Sequence, residues 1–240
     1  MVKLSIIIPT LNEENYLPKL LTSIKSQNFK DYEIIVSDGK SKDKTRQVAK
    51  KFKCKIVEGI GLPGIGRNKG AKIARGNLLL FLDADVILPA VFLPTILKEF
   101  ESRKLDIAFC KSTPLSNKLL DKLVITAYNI FASVFQYIKP FGSGYCILVK
   151  NSAHKKLSGF REDIVYLEDV DYIQRAIKFA KFGILKPKVF LSMRRFEKEG
   201  RWRIFTRYVN TYIYRILGKE PTGKIAKEKK FYYTFDYKKS

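Results

Sequence analysis

Acidic residues are scarce in this chain. Against 46 Lys and Arg stand only 23 Asp and Glu, a formal net charge of +23 over 240 residues, so anionic partners are expected: nucleic acid, acidic lipid or phosphorylated substrates. Cysteine is sparse too. Cys54, Cys110 and Cys146 are odd in number, widely spaced and without a CxxC pair, which argues against a disulfide framework and reads as buried free thiols in a reducing compartment. No apolar run has the makings of a membrane span. The longest, Leu119 to Ile138, is interrupted by Asp121, Lys122, Asn129 and Gln136. Leu4 to Pro9 is too short for an export core, and Asn12-Glu13-Glu14 follows it at once. There is no internal repeat and no low-complexity linker. A chain of 240 residues can bury one sizeable core with room for a small appendage.

What is present is alternation of strand and helix. Leu4 to Pro9 is a near-continuous β-branched run, the pattern of a strand buried on both faces. Asn12 as a cap, Glu13 and Glu14 at the helix start, and Leu17, Leu20, Leu21 and Ile24 at helical spacing predict a helix next. A strand Glu33 to Ser37, a polar turn Asp38 to Asp43 and a helix carrying Val48 and Phe52 follow. Lys55 to Val57 predicts a third strand, Gly59 to Gly66 a loop, Arg67 to Ala74 a helix and Leu78 to Leu82 a fourth strand. Further on, the pattern predicts a helix Val91 to Phe100, strands Asp106 to Cys110 and Gly144 to Val149, and a helix from Asp169 to Phe182 closed by Gly183. The alternation argues for a mostly parallel sheet in a doubly wound α/β domain. A catalytic domain is expected over 1–190, with a nucleotide-binding half over 1–110 and an acceptor half over 111–190, and a basic aromatic extension over 191–240.

The chemistry lies in the acids. Asp83 and Asp85 stand two residues apart where a buried strand emerges, so they share a face of the extended chain. Carboxyl ends of strands are where open α/β sheets bind ligands, and hard oxygen donors suit Mg²⁺ or Mn²⁺ beside substrate phosphates. The plain alternative is an acidic turn. Glu13 or Glu14 after the first strand and Asp38 after the second converge on the same sheet edge, although Asp38 or Asp43 can equally cap a helix. Glu168 and Asp169 open a helix, where negative charge is favoured for its own sake. Gly59-Ile60-Gly61-Leu62-Pro63-Gly64 spells a dinucleotide fingerprint, but it follows the third strand rather than the first, and a flexible wall beside a donor explains the glycines better.

Taken in order, Ser5-Ile6-Ile7-Ile8-Pro9-Thr10-Leu11-Asn12-Glu13-Glu14, Glu33 to Gly39 with Ser41, Asp43 and Thr45, Gly66-Arg67-Asn68-Lys69-Gly70, Leu80-Phe81-Leu82-Asp83-Ala84-Asp85, and Gly159-Phe160 with Glu168-Asp169-Val170-Asp171 and Arg175 resemble glycosyltransferase family 2. The resemblance covers about residues 4 to 182. It implies a GT-A fold and an inverting hexosyltransferase that uses a nucleotide-sugar donor, UDP-linked by expectation, and a divalent cation, Mn²⁺ or Mg²⁺. It assigns Pro9, Thr10, Glu13 and Asp38 to the nucleoside, with Asp38 facing the uracil edge. Arg67 and Gly70 would border the nucleotide or donor sugar. In the DXD motif Asp83-Ala84-Asp85, Asp83 would touch ribose and Asp85 bind the metal. Asp169 would be the catalytic base, with Glu168, Arg194 and Arg195 as phosphate or acceptor contacts. Two departures stand out. Gly39 replaces the second acid often found after Asp38, and Lys198 stands where processive members carry Gln before an Arg-Trp similar to Arg201-Trp202, so a polymer-making enzyme is not predicted.

Between residues 186 and 230 lie 14 Lys and Arg against 4 Asp and Glu, interleaved with aromatics. Ile204, Phe205, Tyr208, Val209, Tyr212, Ile213, Ile216 and Leu217 recur at helical spacing, with Arg203, Arg207 and Arg215 toward the other face. Such a helix either packs on the domain or lies on anionic lipid, and Leu119 to Ile138 is either core, a subunit contact or a second lipid-facing surface. The expectation is a cytoplasmic enzyme, peripheral on the inner face of the cell membrane, acting on an acceptor that is lipid-linked or close to the membrane. A nucleotidyltransferase shares the acids and metal but has no need of Glu168-Asp169. A nucleic-acid-binding protein would exploit the positive charge yet leave the ordered acids unexplained, so nucleic acid is not the expected partner.

Overall fold

The computed structural model describes residues 2–137, 140, 142–201, 203, 204 and 206. In chain order these form β1 (Leu4–Thr10), α1 (Leu17–Lys25), β2 (Tyr32–Asp38), α2 (Thr45–Lys51), β3 (Lys55–Glu58), α3 (Pro63–Lys72), β4 (Leu78–Leu82) and β5 (Val86–Ile87). There follow α4 (Phe92–Ser102), β6 (Ile107–Pro114), α5 (Leu119–Phe135), β7 (Cys146–Lys150), α6 (Asn151–Lys156), α7 (Glu168–Ala176), β8 (Phe182–Leu191) and α8 (Arg194–Glu199).

The strands make one sheet in the order β3-β2-β1-β4-β7-β6-β8-β5. Strands β1 to β4 pair in parallel, as expected from their continuous apolar runs, whereas β7 runs antiparallel to both β4 and β6. Alternate residues divide between two cores. Leu4, Ile6, Ile8, Val36, Leu80 and Leu82 pack on one side with Leu17, Leu20, Leu21 and Ile24 of α1, while Ile7, Ile35, Leu79 and Phe81 pack on the other. This is the period-two geometry of a strand covered on both faces.

Several expectations are corrected. The loop expected through Gly66 ends earlier, because Pro63 opens α3; a proline there loses no hydrogen bond and its φ already suits a helix. Asn12 caps no helix. Its φ is 55°, its side-chain oxygen accepts from the Lys42 N–H at 2.8 Å, and α1 begins only at Leu17. The helix expected to run to Phe182 stops at Ala176, and Gly183 lies inside β8. Strand β8 escapes the sequence pattern because Lys186, Pro187 and Lys188 interrupt it where the β6–β8 register slips, the setting in which a sheet tolerates proline. Leu119 to Phe135 is a helix with apolar residues on two sides: Ile125 and Ala132 are buried and Ala132 joins the main core, while Leu120, Leu123, Ile130 and Val134 are exposed. Of the amphipathic segment expected from Ile204 to Leu217, only the residues at 203, 204 and 206 are described; Ile204 is buried, and the rest lies outside the described residues.

Gly70 shows how tightly α3 sits on β1. A Cβ there would stand 2.4 Å from Cγ2 of the fully buried Ile7. A glycine at this position is what lets the helix approach the strand so closely. Gly70→Val is expected to cost about 1–3 kcal/mol by overpacking, read as a lowered urea midpoint.

Candidate active site

Parallel pairing brings the strand ends together. Thr10 of β1 lies beside Asp38 of β2, and β4 runs parallel to β1, so the segments after all three strands emerge at one edge. Antiparallel β7 delivers its preceding residues to the same place: Cys146 pairs with Leu82, and the Asp83 N–H donates to the Tyr145 carbonyl at 3.3 Å. Strand β8, parallel to β6, ends at this edge as well and leads into α8.

Two polar clusters form there. In the first, the Arg194 guanidinium donates to both oxygens of Glu13, at 2.8 and 2.6 Å, and through Nε to Asp85 Oδ2 at 2.8 Å. Its face lies 4.1 Å from the centre of the Tyr16 ring. Burial pushes Glu13 up to about 7, with Asp85 and Asp83 adding to the rise although Arg194 opposes it. Burial likewise raises Asp85, and Asp83 contributes in the same direction. Arg194 thus balances Glu13 and Asp85, with the Asp83 charge nearby.

In the second cluster, Arg67 is the centre. It is 2% exposed and donates to Glu168 at 2.7 Å, to Asp83 at 2.8 Å and to the Gly144 carbonyl at 3.4 Å. The Phe160 ring lies 5.4 Å from its guanidinium carbon and stacks on Tyr172, with centroids 3.9 Å apart. Phe160 is itself pinned. Asn68 accepts from its N–H and donates to its carbonyl, while Arg175 reaches the carbonyls of Leu157 and Gly159 and pairs with Asp171 at 2.7 Å. Phe160, held by Asn68 and by the Arg175 contacts to the residues just before it, thus forms a wall against Arg67.

Asp169 sits next to this cluster. The Gly144 N–H donates to its Oδ2 at 2.6 Å and the Val170 N–H to its Oδ1 at 2.8 Å, so both oxygens are oriented while the side chain stays partly open. Desolvation pushes its pKa up to about 7, and the neighbouring Glu168 charge adds to the rise. The only histidine, His154, has no such opening. It is buried, engages the Tyr172 hydroxyl at 2.7 Å and is held down at about 4 by burial, so it remains neutral.

The remaining sequence-derived residues lie outside the two clusters, with Thr10 and Asp38 at the same sheet edge. Asp38 is fully buried and its oxygens accept from Ser41 Oγ at 2.6 Å, Ser41 N–H at 3.1 Å and Thr10 Oγ1 at 3.4 Å; it caps no helix, since α2 begins only at Thr45, and its contacts hold the turn after β2. Asp43 similarly accepts from the Thr45 N–H at 2.9 Å. Ala84 belongs to the core, and the Pro9 Cβ lies 3.1 Å from where a Cβ on Gly66 would stand. Arg195 pairs with Glu199 at 3.2 Å, away from the Arg194 contacts. Tyr16 and Gly144 were not singled out from sequence. A lone tyrosine carries no signal, and the Gly144 N–H acts through its backbone.

Residues 5–157 match the model for glycosyl transferase family 2. The chain belongs to that family. Among curated family 2 relatives, the poly(ribitol-phosphate) beta-N-acetylglucosaminyltransferase TarS of Staphylococcus aureus is 37% identical over 94 residues, 35% of this chain and 16% of TarS. The GalNAc(5)-diNAcBac-PP-undecaprenol beta-1,3-glucosyltransferase of Campylobacter jejuni is 37% identical over 108 residues, 41% of this chain and 35% of that enzyme. The chain thus spans about a sixth to a third of the length of these relatives. Among solved structures, the mannosyltransferase PcManGT of Pyrobaculum calidifontis, in complex with GDP-Man and Mn²⁺, superposes with a TM-score of 0.72 at 19% identity, over 94% of this chain and 67% of that one. The S. aureus TarS 1-349 structure with UDP gives 0.66 at 22% identity, over 79% and 60%. These likenesses establish the GT-A fold.

Proposed function

We propose that this family 2 chain transfers a sugar from a nucleotide donor to an acceptor hydroxyl with inversion, and that Asp169 is the general base. The observation that carries the reading is the state of Asp169: oriented by two backbone donors, partly open, raised to about 7, and at the same sheet edge as Asp83 and Asp85. A base poised near the working pH moves a proton most effectively. The acceptor O–H proton passes to the Asp169 carboxylate while the oxygen bonds to the anomeric carbon. The bond from that carbon to the diphosphate oxygen breaks, and its electron pair leaves with the diphosphate.

The residues at the edge fit a divalent cation by donor chemistry. Asp85 and Asp83 offer hard oxygens in a pocket with excess negative charge, although among the described residues no three His, Cys, Asp or Glu side chains converge into a cage. Mg²⁺ commonly needs only one or two carboxylates when phosphates complete its shell. Asp85 would hold such an ion, which neutralises charge on a departing diphosphate. Arg194, now on Glu13 and Asp85, would suit phosphate oxygens equally well through its planar fork.

The donor is proposed to be UDP-linked, consistent with TarS having been solved with UDP. The acceptor is proposed to be lipid-linked, a class represented by the undecaprenol-named C. jejuni relative, with the chain peripheral on the inner face of the cell membrane. No helix among the described residues is long and apolar enough to cross a membrane.

Calorimetry tests the nucleotide and metal assignments. The parent is expected to bind UDP more tightly with Mn²⁺ than without it. Asp85→Ala should lose that increment, at least the roughly 10–100-fold that even outer partners of a metal command, and keep its metal-free affinity. An Asp85→Ala response to Mn²⁺ equal to the parent's removes Asp85 from the site, and a panel of UDP and GDP fixes the base.

A further inference from the structure

Helix α5 carries apolar residues on two sides. An amphipathic helix on a globular domain normally turns its apolar stripe inward and its polar face to water. Here Ile125 and Ala132 are buried on the inward face, which polar side chains also anchor, and a second apolar face is left outside. Asn129 accepts from the Ser112 N–H at 3.3 Å and donates to its carbonyl at 2.7 Å, Asp121 accepts two hydrogen bonds from Arg201, and Tyr128 shares one with Ser143 at 2.8 Å. Outward point Leu120, Leu123, Val124, Ile130, Phe131 and Val134, between 39% and 60% exposed. Their spacing of three and four keeps them on one side of the helix. A continuous apolar patch of this kind marks a binding surface.

We propose that this face of α5 seats on an anionic bilayer surface, an inference that rests on the reading of the acceptor as lipid-linked. Charge selects the occupant. The chain carries +23, so a second copy is repelled where an anionic surface is attracted. Lys122 stands exposed on α5, and the Lys118–Glu197 and Arg201–Asp121 pairs join the first turn of the helix to the start of the basic terminal stretch, where Lys198 and Arg203 are exposed. Apolar burial and flanking cations act together at a lipid interface. The position of the helix gives the docking a purpose. Ser143, bonded to Tyr128 of α5, immediately precedes Gly144, whose N–H orients Asp169. Docking through α5 therefore brings the base to the membrane surface, where a lipid-borne hydroxyl can reach it without leaving the bilayer.

Sedimentation of the full chain with vesicles tests this, using equal parts phosphatidylcholine and phosphatidylglycerol against phosphatidylcholine alone. The parent is expected to pellet with the anionic vesicles at low salt. Leu123→Ser/Ile130→Ser, which leaves charge unchanged and alters only exposed positions, should lower the partition by about tenfold or more. A parent that stays in the supernatant, or a double variant that partitions like the parent, overturns the proposal. So does light scattering that shows a parent dimer abolished by the double variant, which would assign the face to a second copy. Calorimetric UDP binding by the same samples reports on the transferase reading separately, since none of these side chains lies in either polar cluster.

Discussion

Asp169→Asn is expected to reduce sugar transfer by about 10²–10⁴-fold while leaving UDP and Mn²⁺ affinity near the parent's. The amide keeps the size of the carboxylate and can still accept from one of the two backbone donors, Gly144 or Val170, but it cannot take the acceptor proton. The sign of the pH dependence follows from the raised pKa. The base works only when ionised, so the parent rate should rise with pH through about 7 and level off above it. The residual rate of Asp169→Asn should lack that limb. Glu13 titrates in the same range, so Glu13→Gln is the control, and it should keep the limb. A transfer rate in Asp169→Asn equal to the parent's would remove this residue from the base role, and a limb that disappears only in Glu13→Gln would transfer the titration to Glu13.

Arg67→Met is expected to be the most destabilising single change at the site. The side chain is enclosed, and its removal leaves the Glu168 carboxylate buried without its cation. Breaking one side of a buried pair costs about 3–5 kcal/mol, far more than loss of a surface ion pair, because the remaining charge has no solvent to turn to. Asp83 is half-exposed and should suffer less. Chemical denaturation of Arg67→Met, Glu168→Gln and the double variant forms the test. Much of the loss should be recovered in the double variant, where no unpaired charge stays buried. A single-variant loss below about 1 kcal/mol would mean that water reaches Glu168 and that the cluster is not a closed ion-pair network.

The parallel half of the fold was legible because its strands are buried on both faces. Leu4 to Ile8 and Leu78 to Leu82 have no polar face to confuse the pattern, and the acids that follow them stand at strand ends by chain geometry alone. Helix α1 was legible through its buried spacing at Leu17, Leu20, Leu21 and Ile24. The antiparallel half was harder. Strand β8 hides behind a proline and two lysines, and α3 begins among glycines that serve as points of close approach. For α5 the apolar periodicity was plain, but periodicity is blind to which face turns inward. That orientation comes with Ile125 and Ala132 buried and Asn129, Asp121 and Tyr128 finding partners on other elements.

From the order of its residues alone this chain determined its family, its alternating α/β domain and the acids that close its strands, since all of these reside in short stretches whose neighbours dictate their conformation. Only the tertiary structure decided that Arg194 joins Glu13 to Asp85, that Arg67 binds Glu168 to Asp83, and that a backbone N–H at Gly144 aims Asp169. Arg194 and Glu13 are 181 positions apart. A hydrogen bond across that separation leaves no mark on local composition; it exists because the strand order of the sheet among the described residues brings both side chains to one edge.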